Sequence, residues 1–138
     1  MYKILGSALI IIAVMVITTE KLVKNWMLYE YLSEVVITLY ELKNNCKLGK
    51  SFINSTKKLD IKNKSVFNNF YNPVIEKTEF YLKEIGKRNK TEELEYIQYI
   101  INQTERYKEE YRKVISDNKK TTVLTAFSLG IIIVIVLI

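Results

Sequence analysis

The chain has 138 residues, 49% apolar and 26% charged, with a formal net charge of +6; that is room for one domain. It contains no His and a single Cys, Cys46, which excludes His-assisted nucleophiles, His-ligated zinc or haem, and an internal disulfide. One Pro and four Gly are too few turn-formers for a β-sandwich or a Gly-rich-loop enzyme.

Charge is segregated along the chain. Residues 4–19 form a 16-residue run without a charge and residues 121–138 an 18-residue one, whereas residues 20–120 hold all 15 acidic and 20 of the 21 basic residues, a net +5. As helices the two runs span roughly 24 and 27 Å, against about 30 Å of hydrocarbon in a bilayer. The intervening 101 residues are too few to cover two helices that are apolar all round. Two membrane spans are therefore expected. Lys3 followed by apolar residues has the look of a signal peptide, but no small-x-small cleavage site precedes Thr18-Thr19-Glu20, so an uncleaved anchor is expected. Lys21 and Lys24 follow the first run, and Arg106, Lys108, Arg112, Lys113, Lys119 and Lys120 precede the second; by the positive-inside bias the middle is cytoplasmic. The expected organisation is an anchor at 1–19, a cytoplasmic helical domain at 20–120 and a second transmembrane helix at 121–138.

In the middle segment, Leu28, Leu32, Val35, Leu39, Leu42 and Cys46 recur at steps of four and three, a helical stripe that Trp26, Tyr29, Val36 and Tyr40 widen. No Pro or Gly lies between Gly6 and Gly49, so the first apolar helix is expected to run straight into this one and to stop at Leu48-Gly49. A short helix is expected at 51–59 and another, capped by Ser65, around Phe67 and Phe70. Pro73 either ends that helix or opens the next at its first position. Ile75, Thr78, Leu82 and Ile85 mark the next helix, and Gly86 closes it. Asn89-Lys90-Thr91-Glu92 has capping-box spacing. The final helix then carries Ile97, Ile101, Thr104, Tyr107, Tyr111, Val114 and Asn118 on its stripe and continues into the second apolar run. The fold class is all-α: two terminal transmembrane helices flanking a cytoplasmic helical hairpin or bundle of about four to five helices.

The motifs that suggest chemistry have simpler readings. Gly49-Lys50-Ser51 imitates the end of a phosphate-binding loop, but Asn44 stands where the upstream Gly belongs and a helix, not a strand, precedes it. Glu92, Glu93 and Glu95, like Glu109 and Glu110, read as a solvated helix face rather than as metal or acid/base carboxylates. Neither a cofactor nor a metal site is expected, and no enzymatic activity. Lys57-Lys58 and the lysines at 62 and 64 suggest nucleic acid, yet acidic residues are interspersed and no recognised motif occurs; anchoring beside acidic lipid explains the basic balance more simply. The ten Tyr are read as core and membrane-interface residues. Two regions are the expected partner contacts: Lys47, Gly49 and Lys50 at the end of the first long helix, and the turn formed by Gly86, Lys87, Arg88 and Asn89.

Several of these segments together resemble the stage III sporulation protein AB family, small membrane proteins of endospore-forming bacteria. The start, Lys3-Ile4-Leu5-Gly6-Ser7-Ala8-Leu9-Ile10-Ile11, is similar to the family's, as is the first helix closing with Leu39-Tyr40-Glu41-Leu42 and running to Leu48-Gly49. Ile85-Gly86-Lys87-Arg88-Asn89 resembles the family's Leu-Gly turn, and the apolar tail from Leu129 to the end resembles its last helix. The likeness covers the chain in order and length pattern. It departs at Lys50-Ser51-Phe52, at Asn89 where Asp is common, and in a shortened middle. The resemblance implies a non-enzymatic subunit of the channel complex between mother cell and forespore, in the cell membrane with its central domain on the mother-cell side. It also implies a cytoplasmic part similar to the helical domain of type II secretion F platform proteins. The implied partners are sister channel subunits and the secretion-type ATPase stage III sporulation protein AA; the residues themselves point to the bilayer and away from nucleic acid, and a homo-oligomer is left open. The alternative is a sensory, receptor-like module whose two spans flank an external helical bundle; such receptors normally continue past their second span, and the chain's end at Ile138 is the expectation against it.

Overall fold

The structure, a computed structural model, describes residues 2–47 and 72–137, and within them all side chains but those of residues 2–5, 7, 8, 133, 134, 136 and 137. The described residues form three helices: α1 (Tyr2–Lys47), α2 (Pro73–Lys83) and α3 (Lys90–Leu137). The all-α expectation holds. The short helices expected at 51–59 and after Ser65 lie outside the described residues.

α1 runs without interruption for 46 residues, as the absence of a breaker after Gly6 predicts. Asn72 caps α2: its Oδ1 accepts from the Val74 N–H at 2.8 Å and its carbonyl from the Ile75 N–H at 3.0 Å. Pro73 therefore opens α2 at its first position, where the missing N–H costs nothing. α2 tightens at its end, with the Glu84 N–H on the Tyr81 carbonyl and the Ile85 N–H on the Leu82 carbonyl. Gly86 follows with φ of 92°, a left-handed conformation that a Cβ would disfavour. Asn89 then caps α3, its Oδ1 accepting from the Glu92 N–H at 3.0 Å and its carbonyl from the Glu93 N–H at 2.8 Å. α3 continues for 48 residues, roughly 72 Å.

The chain divides into two compact units, Met1–Leu28 with Tyr111–Ile138, and Tyr29–Glu110. In the second unit α1 and α3 are antiparallel: the Tyr40 hydroxyl donates to Glu105 at 3.2 Å and Lys43 Nζ donates to Gln98, so positions rise on one helix as they fall on the other. The core follows the predicted stripe through Tyr107, but Leu82 is only half-buried and Val114, also expected on the stripe, is 40% exposed while Ile115 beside it is buried. Leu32, Val35, Leu39, Leu42 and Cys46 of α1 are buried with Val36, against Ile75 and Thr78 of α2, Ile85, and Ile97, Ile101, Thr104 and Tyr107 of α3. Each large aliphatic among them contributes about 1.5–3 kcal/mol by leaving water. Tyr31 and Ile100 are also fully buried, although the stripe spacing did not select them.

In the first unit Leu28 and Ile115 are buried. The half-buried positions Ile11, Thr18, Leu22 and Asn25 on α1, and Asn118, Thr122, Thr125, Ala126 and Leu129 on α3, continue from them at steps of three, four and seven. That is the seam of an antiparallel helix pair. Lys119 Nζ lies 5.5 Å from the Trp26 ring centroid and fixes the level of one helix against the other. Among the described residues, no helix is long and apolar enough to cross a membrane. Continuously described apolar side chains begin only at Leu9 in α1, and Glu20, Lys21 and Lys24 follow within 18 residues. The spans expected at 4–19 and 121–138 are thus not carried by the described residues.

Candidate functional site

The turn between α2 and α3 carries four of the expected contact residues and is held by its own bonds. Gly86 is exposed and takes the bend. The Lys87 ammonium pairs with Glu84 at 2.6 Å. Arg88 donates from Nη1 to the Glu84 carbonyl at 2.9 Å, and its guanidinium carbon lies 3.6 Å from the centroid of the Tyr96 ring. Cation–π stacking of this kind contributes about 0.5–1 kcal/mol at an exposed site. Asn89 is spent on capping α3.

Arg88 leads into an aromatic cluster that joins α2 to α3. Tyr96 and Tyr99 stack at 6.3 Å, Tyr81 meets Tyr99 edge-on at 5.9 Å, and Phe80 is 6.3 Å from Tyr81. Burial, with a hydrogen bond to Tyr99, pushes the Tyr81 hydroxyl up to about 12. The outer members stay in water: Phe80 is 59% exposed and Tyr99 47%. The four rings belong to one surface, with cationic and carboxylate groups of Glu84, Lys87 and Arg88 at its edge. Such a surface favours a partner that offers flat apolar groups and a few polar ones.

The same end of this unit contains a buried carboxylate. Glu93 is 2% exposed; Oε2 accepts from the Arg88 backbone N–H at 3.1 Å, while Oε1 is buried without a hydrogen-bond partner. This corrects the expectation that Glu92, Glu93 and Glu95 share a solvated face: Glu92 and Glu95 are exposed, and Glu93 turns inward. The physical reason is the turn. Its backbone N–H at Arg88 points at the first turn of α3, and Glu93 is one of the residues on the inner side of that turn. Cys46 is buried close by; burial raises its thiol pKa, the Glu93 carboxylate raises it further, and Lys90 partly opposes them. Its surroundings are those of a buried core thiol.

The other expected contacts divide. Lys47 is the exposed last residue of α1, beside Cys46 and so at the same end of the unit as the start of α3. Gly49 and Lys50 lie outside the described residues, as does the rest of Gly49-Lys50-Ser51; α1 is helical as far as Lys47. Among the described residues no three Cys, Asp or Glu side chains are grouped to hold a metal. Phe80, Tyr81, Tyr96 and Tyr99 were missed by sequence reasoning, which assigned the tyrosines to core and interface. The available signal was Tyr96 and Tyr99 at i, i+3 opposite two aromatics in the last turn of α2. No family model, curated protein or solved structure matches the chain.

Proposed function

We propose that this chain is a non-enzymatic membrane platform subunit. Residues 4–19 and 121–138 cross the bilayer, and the unit Tyr29–Glu110 presents a cytoplasmic docking surface. The observation that carries the membrane half is exposed apolar surface: Leu9, Ile10, Ile12, Ile17, Val123, Leu124, Phe127 and Ile135 are each between 57% and 70% exposed. A contiguous surface of that kind requires a cover. Its threonine hydroxyls are internally satisfied, as hydrocarbon demands. Thr18 and Thr19 donate to the Val14 and Met15 carbonyls, and Thr121, Thr122 and Thr125 donate to carbonyls four residues back.

The docking half rests on the half-exposed Phe80 and Tyr99 beside the Arg88 turn. The resemblance to the stage III sporulation protein AB family supplies the partner class: a secretion-type ATPase (stage III sporulation protein AA) and sister subunits of the channel between mother cell and forespore. Two measurements test this reading. Full-length protein is expected to stay in vesicles through alkaline carbonate, and release would end the membrane assignment. Because Cys46 is buried, topology is read from Lys87→Cys in a Cys46→Ala background. Protection from an impermeant thiol reagent in intact cells is expected; labelling would favour the receptor-like alternative with an external bundle.

A further inference from the structure

The net charge is not shared between the two units. The unit formed by Met1–Leu28 and Tyr111–Ile138 holds seven basic residues (Lys3, Lys21, Lys24, Arg112, Lys113, Lys119 and Lys120) against two acidic ones (Glu20 and Asp117), a net +5. The unit Tyr29–Glu110 holds fourteen against thirteen, a net +1. Apart from Lys3, the excess lies in two short stretches, 20–24 and 112–120, which the Trp26–Lys119 contact of 5.5 Å sets at one level. Because the helices of this unit are antiparallel, the exposed apolar side chains, Leu9 to Ile17 on α1 and Val123 onward on α3, all extend to the same side of that level. The result is a basic band at the foot of an apolar surface.

The band is also open. Glu20 is engaged by Lys24 at 2.5 Å, whereas Lys21, Lys113, Lys119 and Lys120 are exposed and form no ion pair among the described residues. Trp26, the single tryptophan, is 45% exposed at the same level, an amphipathic ring of the type that settles among headgroups. We infer that Lys21, Lys113, Lys119 and Lys120, with Trp26, form a binding band for the phosphates of anionic phospholipids. The inference rests on the membrane reading proposed above and adds to it a preference for lipid class. Acidic headgroups near such lysines are favoured by charge alone, without base-like or peptide-like readout.

Trp26 provides the test. Full-length protein is reconstituted into phosphatidylcholine vesicles with a trace of lipid bearing pyrene on its acyl chain, either phosphatidylglycerol or phosphatidylcholine, and energy transfer from Trp26 is compared at equal mole fraction. Labelled phosphatidylglycerol is expected to be enriched about fivefold around the protein, the equivalent of one lysine–headgroup contact. The K21Q/K113Q/K119Q/K120Q variant is expected to lose that preference while keeping transfer to labelled phosphatidylcholine. Equal transfer from both lipids in the unsubstituted protein, or a preference that survives the four substitutions, would overturn the assignment. Transfer to neither lipid would instead overturn the membrane reading itself.

Discussion

The carboxylate of Glu93 accepts the backbone N–H of Arg88 across 3.1 Å and thereby fastens the turn to the first turn of α3 from inside the protein. One oxygen is used and the other is buried without a partner. A carboxylate in that position costs desolvation that a single hydrogen bond only partly offsets. Glu93→Gln keeps an acceptor for Arg88 and removes the buried charge, so its unfolding midpoint in detergent, followed by helical circular dichroism, is expected to equal or exceed that of the unsubstituted protein. Glu93→Ala leaves the Arg88 N–H unsatisfied and is expected to lose about 1–3 kcal/mol. The reverse order of the two variants would sink this account.

Asn89 and Gly86 hold the same turn by different means. Asn89→Ala removes the acceptor for the Glu92 N–H and is expected to cost about 1 kcal/mol, with Asn89→Asp retaining the cap. Gly86→Ala forces a Cβ into φ of 92° and is expected to cost about 1–2 kcal/mol. Both are read from the same unfolding curves.

Leu39 is wholly buried at the centre of the α1 stripe. Leu39→Ala is expected to lose about 2–5 kcal/mol through lost transfer energy and a cavity. Ile37, two residues away and 61% exposed, provides the contrast: Ile37→Ala is expected to change stability by less than about 0.5 kcal/mol.

Phe80 and Tyr99 separate docking from folding. Phe80 is 59% exposed and Tyr99 47%, so both Phe80→Ala and Tyr99→Ala are expected to keep the helical signal. The unfolding midpoint is expected to be nearly unchanged for Phe80→Ala and modestly lowered for Tyr99→Ala, which loses its ring contacts with Tyr81 and Tyr96. Association with the ATPase proposed above as partner, read by surface-immobilised titration, is expected to weaken tenfold or more, in the range of about 2 kcal/mol typical of aromatic anchors. Unchanged binding in both variants would remove this face from the docking proposal.

Alkaline pH probes the buried tyrosine. Desolvation first, and then the Glu79 charge, push the Tyr31 hydroxyl up to about 12, against about 10 in an unfolded chain. Because the folded value is the higher one, the unfolded chain releases this proton first as pH rises. The stabilisation is complete below about pH 10 and is lost between there and about pH 12. Tyr31→Phe is expected to flatten the fall in unfolding midpoint across that window, and an unchanged slope would contradict it.

Much of the helical layout is legible in the residues alone, because the determinants are local. Pro73 has no N–H to give to a preceding turn, Gly86 alone accepts a positive φ cheaply, and Asn89 stands where an orphan N–H needs an acceptor. The α1 stripe from Leu28 to Cys46 is equally direct: helical geometry brings those six side chains to one face whatever they pack against. Less local features fail in the same reading. Trp26 and Tyr40 widen the stripe on paper and yet stay more than 40% exposed, since an apolar face wider than the partner helix leaves its margin in water.

What the sequence by itself determined, among the described residues, is therefore the three helices, the openings of α2 and α3, the turn at Gly86 and most of the main buried face, all consequences of bonds and spacings within a few residues. What only the tertiary structure decided is which members of a mixed face turn inward. Glu93 is buried while its neighbours Glu92 and Glu95 are not, because the returning turn places the Arg88 N–H on one side of α3. Phe80, Tyr81, Tyr96 and Tyr99 become one surface because α2 lies against α3. The basic residues at 20–24 and 112–120, far apart in the chain, become one band because antiparallel packing sets Trp26 level with Lys119. Each depends on the rotation and axial offset of one helix relative to another, and no periodicity within a single helix encodes those two quantities.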